Sequence, residues 1–429
     1  MDVIMVRDYL SIYLERSMPK LLERDISLRT VPSKATTIIG PRRAGKTSIM
    51  LEEIAKHDRH ETVYLDFEDI SLKGISATDA LRVITEIFTE VSGKKARFIL
   101  LDEVQNVADW QTLIRTLLDR GYTVYATGSS SKLLSKEIAT QLRGRSASHL
   151  LLPFSFAEFL RARGIEKTGY YQLDKIGKLK NLLEEYMISG GFPEIVLGMG
   201  EKDKLLAEYK DLIFLKDFVE RQNARSIEVA RHIFNFVTQG FASEMSVRKV
   251  LGSLKSNGVP FGRNTVYDYV EKLQDTMIFF FLGRYSTKAS LRSGWPKKVY
   301  LADNGLAWRL PMDRGRLMEN LVFLHLKRIQ SAEPSTELYY YRDSRNYEVD
   351  FVVKNGTEVK ELLQVTYASG SEDVKDSEIA SLAKIGEKLR CRKLTIITWD
   401  YENRSDKDNL TIHLIPLWKW LLDAAPSNK

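Results

Sequence analysis

The chain has 429 residues, 44% of them hydrophobic, with one cysteine, six histidines and a formal charge of +7 from 64 basic and 57 acidic side chains. That length exceeds one hydrophobic core and implies about two to four globular domains. A lone Cys391 excludes an intrachain disulfide and a cysteine zinc site, and so few histidines argue against a His-rich metal centre. The N-terminus lacks a basic stretch followed by an apolar run, and the longest strongly apolar run, residues 277–282, is far short of a membrane span. No membrane partner and a cytoplasmic location are therefore expected; the small positive charge permits nucleic-acid binding without requiring it.

Residues 1–33 read as a helical lead-in, with Tyr9, Leu10, Tyr13, Leu14, Met18 and Leu21 at helical spacing and Pro32 ending it. Its expected role is packing beside the site that follows. An apolar strand, Thr36 to Ile39, runs into Gly40-Pro41-Arg42-Arg43-Ala44-Gly45-Lys46-Thr47, and a helical stretch containing Ser48 leads out. Strand, glycine loop and helix make a phosphate cradle: the glycines let backbone N–H groups turn inward, and the helix adds its positive end. Gly40 to Ser48 are the expected ATP contacts, with Lys46 reaching the β- and γ-phosphates and the Thr47 hydroxyl on Mg²⁺.

Thr62 to Phe67 reads as a strand and Ala77 to Val91 as a helix. Phe98-Ile99-Leu100-Leu101 is a buried strand ending in two acids, Asp102 as the metal-side carboxylate and Glu103 as the general base. Tyr122 to Thr127 is a further strand expected beside the acid strand. The hydroxyls at its end, Ser129 and Ser130, are either sensors of the γ-phosphate or a helix cap. Arg143 and Arg145 precede the strand His149 to Phe154, where an arginine either reaches a neighbouring subunit's γ-phosphate or pairs with a surface acid.

GPRRAGKT, LLDEVQN, ATGSSS and LRGRSASHLLLPFSFAEFL, with Gly190-Gly191-Phe192-Pro193-Glu194 and Tyr341-Arg342-Asp343 followed by Glu348-Val349-Asp350-Phe351, resemble a prokaryotic AAA-type P-loop ATPase family. That family is well represented in archaea and carries a nuclease-like C-terminal domain. The resemblance implies a five-stranded parallel sheet with an additional strand, the catalytic acid on the strand next to the phosphate loop, a small helical lid and assembly into a ring.

Residues 155–222 are helical throughout, punctuated by Gly190-Gly191 and Pro193, and fit the lid. Residues 223–290 read as three short helices and a strand, the order of a winged helix. Arg263 and Lys272 on its third helix, and Lys288, Arg292, Lys297 and Lys298 beyond, are the candidate DNA contacts; packing against protein is the competing reading. From 291 to 429 helices and strands alternate in a pattern that resembles the PD-(D/E)xK nuclease fold. The resemblance makes Asp350 the first metal acid, with Glu348 on the same strand face and Glu319 as an extra ligand. Where the acid-x-lysine should stand the chain has Gln364-Val365-Thr366, so the nuclease site reads as degenerate.

The fold class is therefore α/β: a P-loop AAA-type ATPase core over 1–154, a helical lid, a winged helix and a restriction-endonuclease-like domain. The expected function is a Mg²⁺-dependent ATPase acting on single- or double-stranded DNA as a homo-oligomer, with a hexameric ring among the options. A nucleotide-governed scaffold switch and an ATP-gated metal nuclease are the alternatives.

Overall fold

A computed structural model describes residues 2–28, 30–128, 142, 144–166, 173–286 and 296–423. Its contacts divide the chain into two compact units, residues 1–151 and 152–429. Among the described residues no helix is long and apolar enough to cross a membrane.

The first unit is built on five parallel strands: β1 (Ala35–Ile39), β2 (Thr62–Asp66), β3 (Phe98–Asp102), β4 (Thr123–Gly128) and β5 (Ser146–Leu150). Their order is β2-β3-β4-β1-β5. β1 is buried at every position, as are four residues each of β2 and β3, which is what a parallel sheet covered on both faces requires of its sequence. The acid strand was expected next to the loop strand; instead β4 lies between β3 and β1. β4 is thus the additional strand, and it puts its C-terminal side chains between the acids and the phosphate loop.

Strand β2 is an edge, and its outward backbone groups need partners. Helix Val3–Glu15, capped by the Asp2 carboxylate, supplies them: the Tyr13 hydroxyl donates to the Thr62 carbonyl at 3.0 Å, and the Tyr9 hydroxyl donates to Tyr64 O at 3.3 Å and accepts from Asp66 N at 3.0 Å. The helical lead-in ends at Glu15, well short of residue 33. Arg16 turns to extended backbone (ψ 129°), and Pro19 denies the helical region to the residue before it.

In the second unit, helices span Phe156–Ala162, Leu173–Ser189, Pro193–Val196 and Lys202–Leu212, the last running on as a π-helix, Ile213–Glu220. Helix Ile227–Gln239, β6 (Ser243–Met245), helices Val247–Ser256 and Arg263–Lys272, β7 (Phe279–Leu282) and β8 (Lys297–Leu301) follow, with β6-β8-β7 forming an antiparallel sheet. β8, which falls in the last segment by sequence, completes the sheet of the preceding one. Helix Arg314–Ala332 then leads to β9 (Thr336–Arg342), β10 (Glu348–Asn355), β11 (Glu358–Val365), helix Asp376–Leu389, β12 (Leu394–Thr398), β13 (Asn403–Lys407), β14 (Leu410–Pro416) and helix Leu417–Asp423. These strands make a mixed sheet in the order β13-β14-β12-β11-β10-β9.

The Gly190-Gly191 pair is a packing joint. Gly190 has φ +77°, and a Cβ there would meet Asp303 Oδ1 at 1.7 Å; Gly191 N donates to Asp303 Oδ2 at 2.6 Å. Burial lifts the Asp303 carboxyl to about 7, against the opposing pull of the Gly191 and Gly305 N–H groups. Next to it, Asn304 Nδ2 donates to the carbonyls of Met187 and Leu317, and Asn320 Nδ2 donates to Asn304 Oδ1 at 2.8 Å. This buried amide network holds helix Leu173–Ser189, β8 and helix Arg314–Ala332 in one register.

Candidate nucleotide site

The loop after β1 is held by close approach. A Cβ at Gly40 would lie 2.0 Å from the Leu151 carbonyl oxygen, so only glycine fits, and Gly45 enters the helix with φ +95°. Arg43 also lies in the left-handed region, at φ +65°. Behind the loop the buried Arg24 donates to Ala44 O at 2.9 Å, and Arg42 pairs with Glu68 at 3.0 Å. Pro41 and Ala44 are buried; Ser48, in the first turn of helix Lys46–Ile54, is exposed.

Four parallel strands ending together bring the chemistry to one place. Lys46 is 5% exposed, and its ammonium donates to Gly40 O at 3.3 Å and Pro41 O at 3.2 Å and pairs with Glu103 Oε1 at 3.3 Å. Asp102 is 1% exposed and accepts three hydroxyl donors: Thr47 at 2.7 Å and Tyr64 at 2.9 Å on Oδ2, and Thr127 on Oδ1. Thr127 Oγ1 in turn accepts the Glu103 N–H at 2.9 Å. Glu103 has φ +49°, and Gln105 Nε2 donates to its other oxygen. A non-glycine residue in the left-handed region next to a buried acid is backbone strain of the kind that functional sites retain.

The Thr47 hydroxyl and the Asp102 carboxylate are hard oxygen donors in contact with each other, a donor pair that fits Mg²⁺. Beside them Asp66, paired with Asp102 in register, is pushed up to about 6, first by burial and then by the charge of Asp102. Burial and the same charge hold the Tyr64 phenol far above its usual range, which keeps it a donor.

Tyr64, Thr127, Arg24 and Gln105 were not singled out from sequence. The sensor expectation fell on Ser129 and Ser130, which lie outside the described residues, as does Arg143. The β4 side chain that touches both acids is Thr127, two positions earlier, and a hydroxyl inside an otherwise buried strand was the available signal. Arg145 stands at the start of β5, beside Ala35 at the end of the sheet opposite the loop, and is ion-paired with Asp119. Within one copy it is therefore remote from Lys46.

The second unit brings Glu319, Glu348 and Asp350 together, around a lysine that the sequence reading placed on DNA. Lys298 is 4% exposed, and its ammonium lies 3.1 Å from Glu319, 2.9 Å from Glu348 and 2.8 Å from Asp350. The correction follows from strand geometry: Lys297 and Lys298 are consecutive on β8 and must point to opposite faces. Burial would lower the Lys298 ammonium, but Asp350, Glu319 and Glu348 together hold it well above the ordinary lysine range. Tyr300 donates to Glu319 at 2.7 Å, and Asp350 accepts the Val365 N–H at 2.9 Å and donates its own N–H to Gln364 at 3.4 Å. Among the described residues no group of three or more acids, histidines or cysteines is arranged to hold a metal. Of the other DNA candidates, Lys272 pairs with Asp268 at 2.8 Å, Arg263 is exposed, Lys297 is half-buried, and Lys288 and Arg292 lie outside the described residues.

Residues 32–160 match a family model described as an AAA domain, 180–315 a domain of unknown function (DUF8612), and 314–420 another (DUF4143). The uncharacterized protein MJ1544 of Methanocaldococcus jannaschii is 37% identical over 414 residues, covering 94% of this chain and 91% of its own length. A Haemophilus influenzae protein is 26% identical over 398 residues, 90% of this chain and 93% of its own. Among solved structures, Cdc6p from Pyrobaculum aerophilum aligns with 73% of this chain and 98% of its own at 13% identity and a TM-score of 0.26, a likeness too low to argue from.

Two substitutions test these geometries. Thr127→Val strips the shared hydroxyl from Asp102 and Glu103, so ATP hydrolysis should fall by about 10-fold or more while ATP affinity changes little; equal loss of both would move Thr127 to a binding role. Lys298→Met leaves three clustered carboxylates without a cation and should cost about 3–5 kcal/mol in chemical denaturation of the second unit. A change below about 1 kcal/mol would mean that the acids are neutralised in some other way.

Proposed function

We propose that this chain, which belongs to the family of AAA-domain proteins that includes Methanocaldococcus jannaschii MJ1544, is a Mg²⁺-dependent ATP hydrolase that works on DNA as a ring-forming oligomer. The observation that carries the catalytic part is the convergence of Lys46, Thr47, Asp102, Thr127 and Glu103 at the ends of β1, β3 and β4. Mg²⁺ held by Thr47 and Asp102 would neutralise charge on the β- and γ-phosphate oxygens.

The remaining steps belong to the chain's own side chains. Lys46 is shared between two loop carbonyls and Glu103, so a γ-phosphate that takes over the ammonium releases the Glu103 carboxylate. Freed of its counter-ion, Glu103 becomes a better base toward a water aligned on the γ-phosphate, while Gln105 and the Thr127-anchored backbone keep it in place. ATP binding thereby arms the base, and water is not activated before substrate arrives.

DNA action is supported by the second unit. The order helix, strand, two helices and two strands, with sheet order β6-β8-β7, fits the winged-helix reading, and Arg263 and Tyr267 stand exposed on or near the third helix. Ring assembly is supported by Arg145, which lies at the sheet end opposite the loop and would serve a neighbour's γ-phosphate by exchanging Asp119 for phosphate. The nuclease alternative loses support from Lys298, whose ammonium already fills the carboxylate cluster, and from Gln364 and Thr366.

Lys46→Ala should abolish ATP binding, whereas Glu103→Gln should retain ATP and lose turnover by about 10²–10⁴-fold, measured by nucleotide binding and phosphate release. Loss of binding in both would show that the roles are misassigned. Adding duplex or single-stranded DNA should raise the wild-type rate, with affinity weakening in salt at a log–log slope of about −0.9 per phosphate contact on duplex. An ATPase rate indifferent to DNA at low salt would instead favour the scaffold switch.

A further inference from the structure

Away from the carboxylate cluster, helices Lys202–Leu212 and Ile227–Gln239 and the residues after the Asn304–Ala307 turn line an open-sided pocket of about 170 Å³, with Arg231 and Arg309 exposed at its rim. Three cations line it: Lys210, Arg231 and Arg309. Among the described residues none of their side chains makes a hydrogen bond or an ion pair. Two of them rest on aromatic faces, the Arg231 guanidinium 4.4 Å from the centre of the Phe214 ring and the Arg309 guanidinium 4.2 Å from that of Trp308.

A ring face fixes the plane of a guanidinium without consuming its N–H groups, so both forks stay open at their edges to an oxyanion. Lys210 is half-buried, and its ammonium is lowered by burial and by Arg309 and Arg231, against a partial offset from Asp211. The three charges are therefore close enough to repel, and folding has assembled them without a matching set of acids. Among the described residues Asp211 is the one acid lining the pocket, which leaves an excess of two positive charges.

We propose that this pocket is a site for a phosphate monoester, the terminal phosphate of a nucleotide or of a nucleic-acid strand, gripped by the forks of Arg231 and Arg309 with Lys210 as a point charge. A dianion matches the charge excess, which a single phosphodiester does not. The volume also points to a head group: it is well below the roughly 300–1,000 Å³ that encloses a drug-sized ligand, so sugar and base would lie outside. The proposal is independent of the ATP site, since its three cations all belong to the second unit and the phosphate loop to the first.

The experiment uses the full chain and probes that separate the two sources. Fluorescence anisotropy compares a short 3′-labelled oligothymidine carrying a 5′-phosphate with the same strand ending in a 5′-hydroxyl, and calorimetry measures adenosine monophosphate in wild type and in an Arg231→Ala/Arg309→Ala variant. We expect the 5′-phosphate to tighten strand binding by about 10-fold, and the double variant to erase that difference. Adenosine monophosphate bound by wild type and lost in the variant, with no strand preference, assigns the site to free nucleotides. Arg231→Lys/Arg309→Lys keeps the charge and the packing, so an intermediate loss there separates lost forks from a misfolded variant. No phosphate-dependent difference with either probe, or one that survives in the alanine variant, overturns the proposal.

Discussion

The nucleotide site depends on one buried carboxylate. A carboxyl group as inaccessible as Asp102 needs hydrogen-bond partners for its oxygens, and three hydroxyls supply them, from the helix after β1, from β2 and from β4. Each donor fixes the position of the element that carries it. Thr47 sets how the loop helix approaches the sheet, Tyr64 ties in the edge strand, and Thr127 orients the Glu103 backbone through its second bond. The left-handed Glu103 follows from this arrangement: with its N–H anchored to Thr127, the chain turns there and the side chain meets Lys46 rather than the sheet. The strain is local, and the hydrogen bonds on either side retain it.

The two units handle clustered carboxylates in opposite ways. In the first, the oxygens of Asp102 are satisfied by three neutral hydroxyls. In the second, Glu319, Glu348 and Asp350 surround an ammonium that is covalently part of the chain and cannot leave. The second arrangement is permanently neutralised in part, and it ties β8 to helix Arg314–Ala332 and to β10, so its contribution is to hold three elements together.

How much of this was legible in the sequence depended on range along the chain. Gly40, Gly45, Lys46 and Thr47 act through eight consecutive residues, and Asp102 and Glu103 end an apolar run, so local pattern was enough to find them. Tyr64, Thr127 and Arg24 became visible only once strand order was known, because each touches a residue distant in sequence across the sheet or loop. The same dependence explains the misplaced acid strand: strand count is a local property, whereas the insertion of β4 between β3 and β1 is not. In the last segment the strands on either side of Asn355-Gly356 were readable from their turn, but β13 and β14 join through Asp408 and Asn409, at φ +52° and +60°, a less obvious turn pair than Asn-Gly.

Lys297 and Lys298 carry the most general lesson, because composition and topology assign them different roles. A pair of adjacent lysines reads as solvated charge, and on a loop both would be free to track phosphate. On a strand, alternation allows only one of the two to face any surface. The one that turns inward must be paired or neutralised, and here it finds three acids from helix Arg314–Ala332 and β10. Had those positions held apolar residues, burial of Lys298 would have been prohibitive; had position 298 been apolar, three clustered carboxylates would have repelled one another. Neither half is stable without the other, so the basic strand and the acidic cluster form a single interaction, and Lys298 is not available to any nucleic-acid surface.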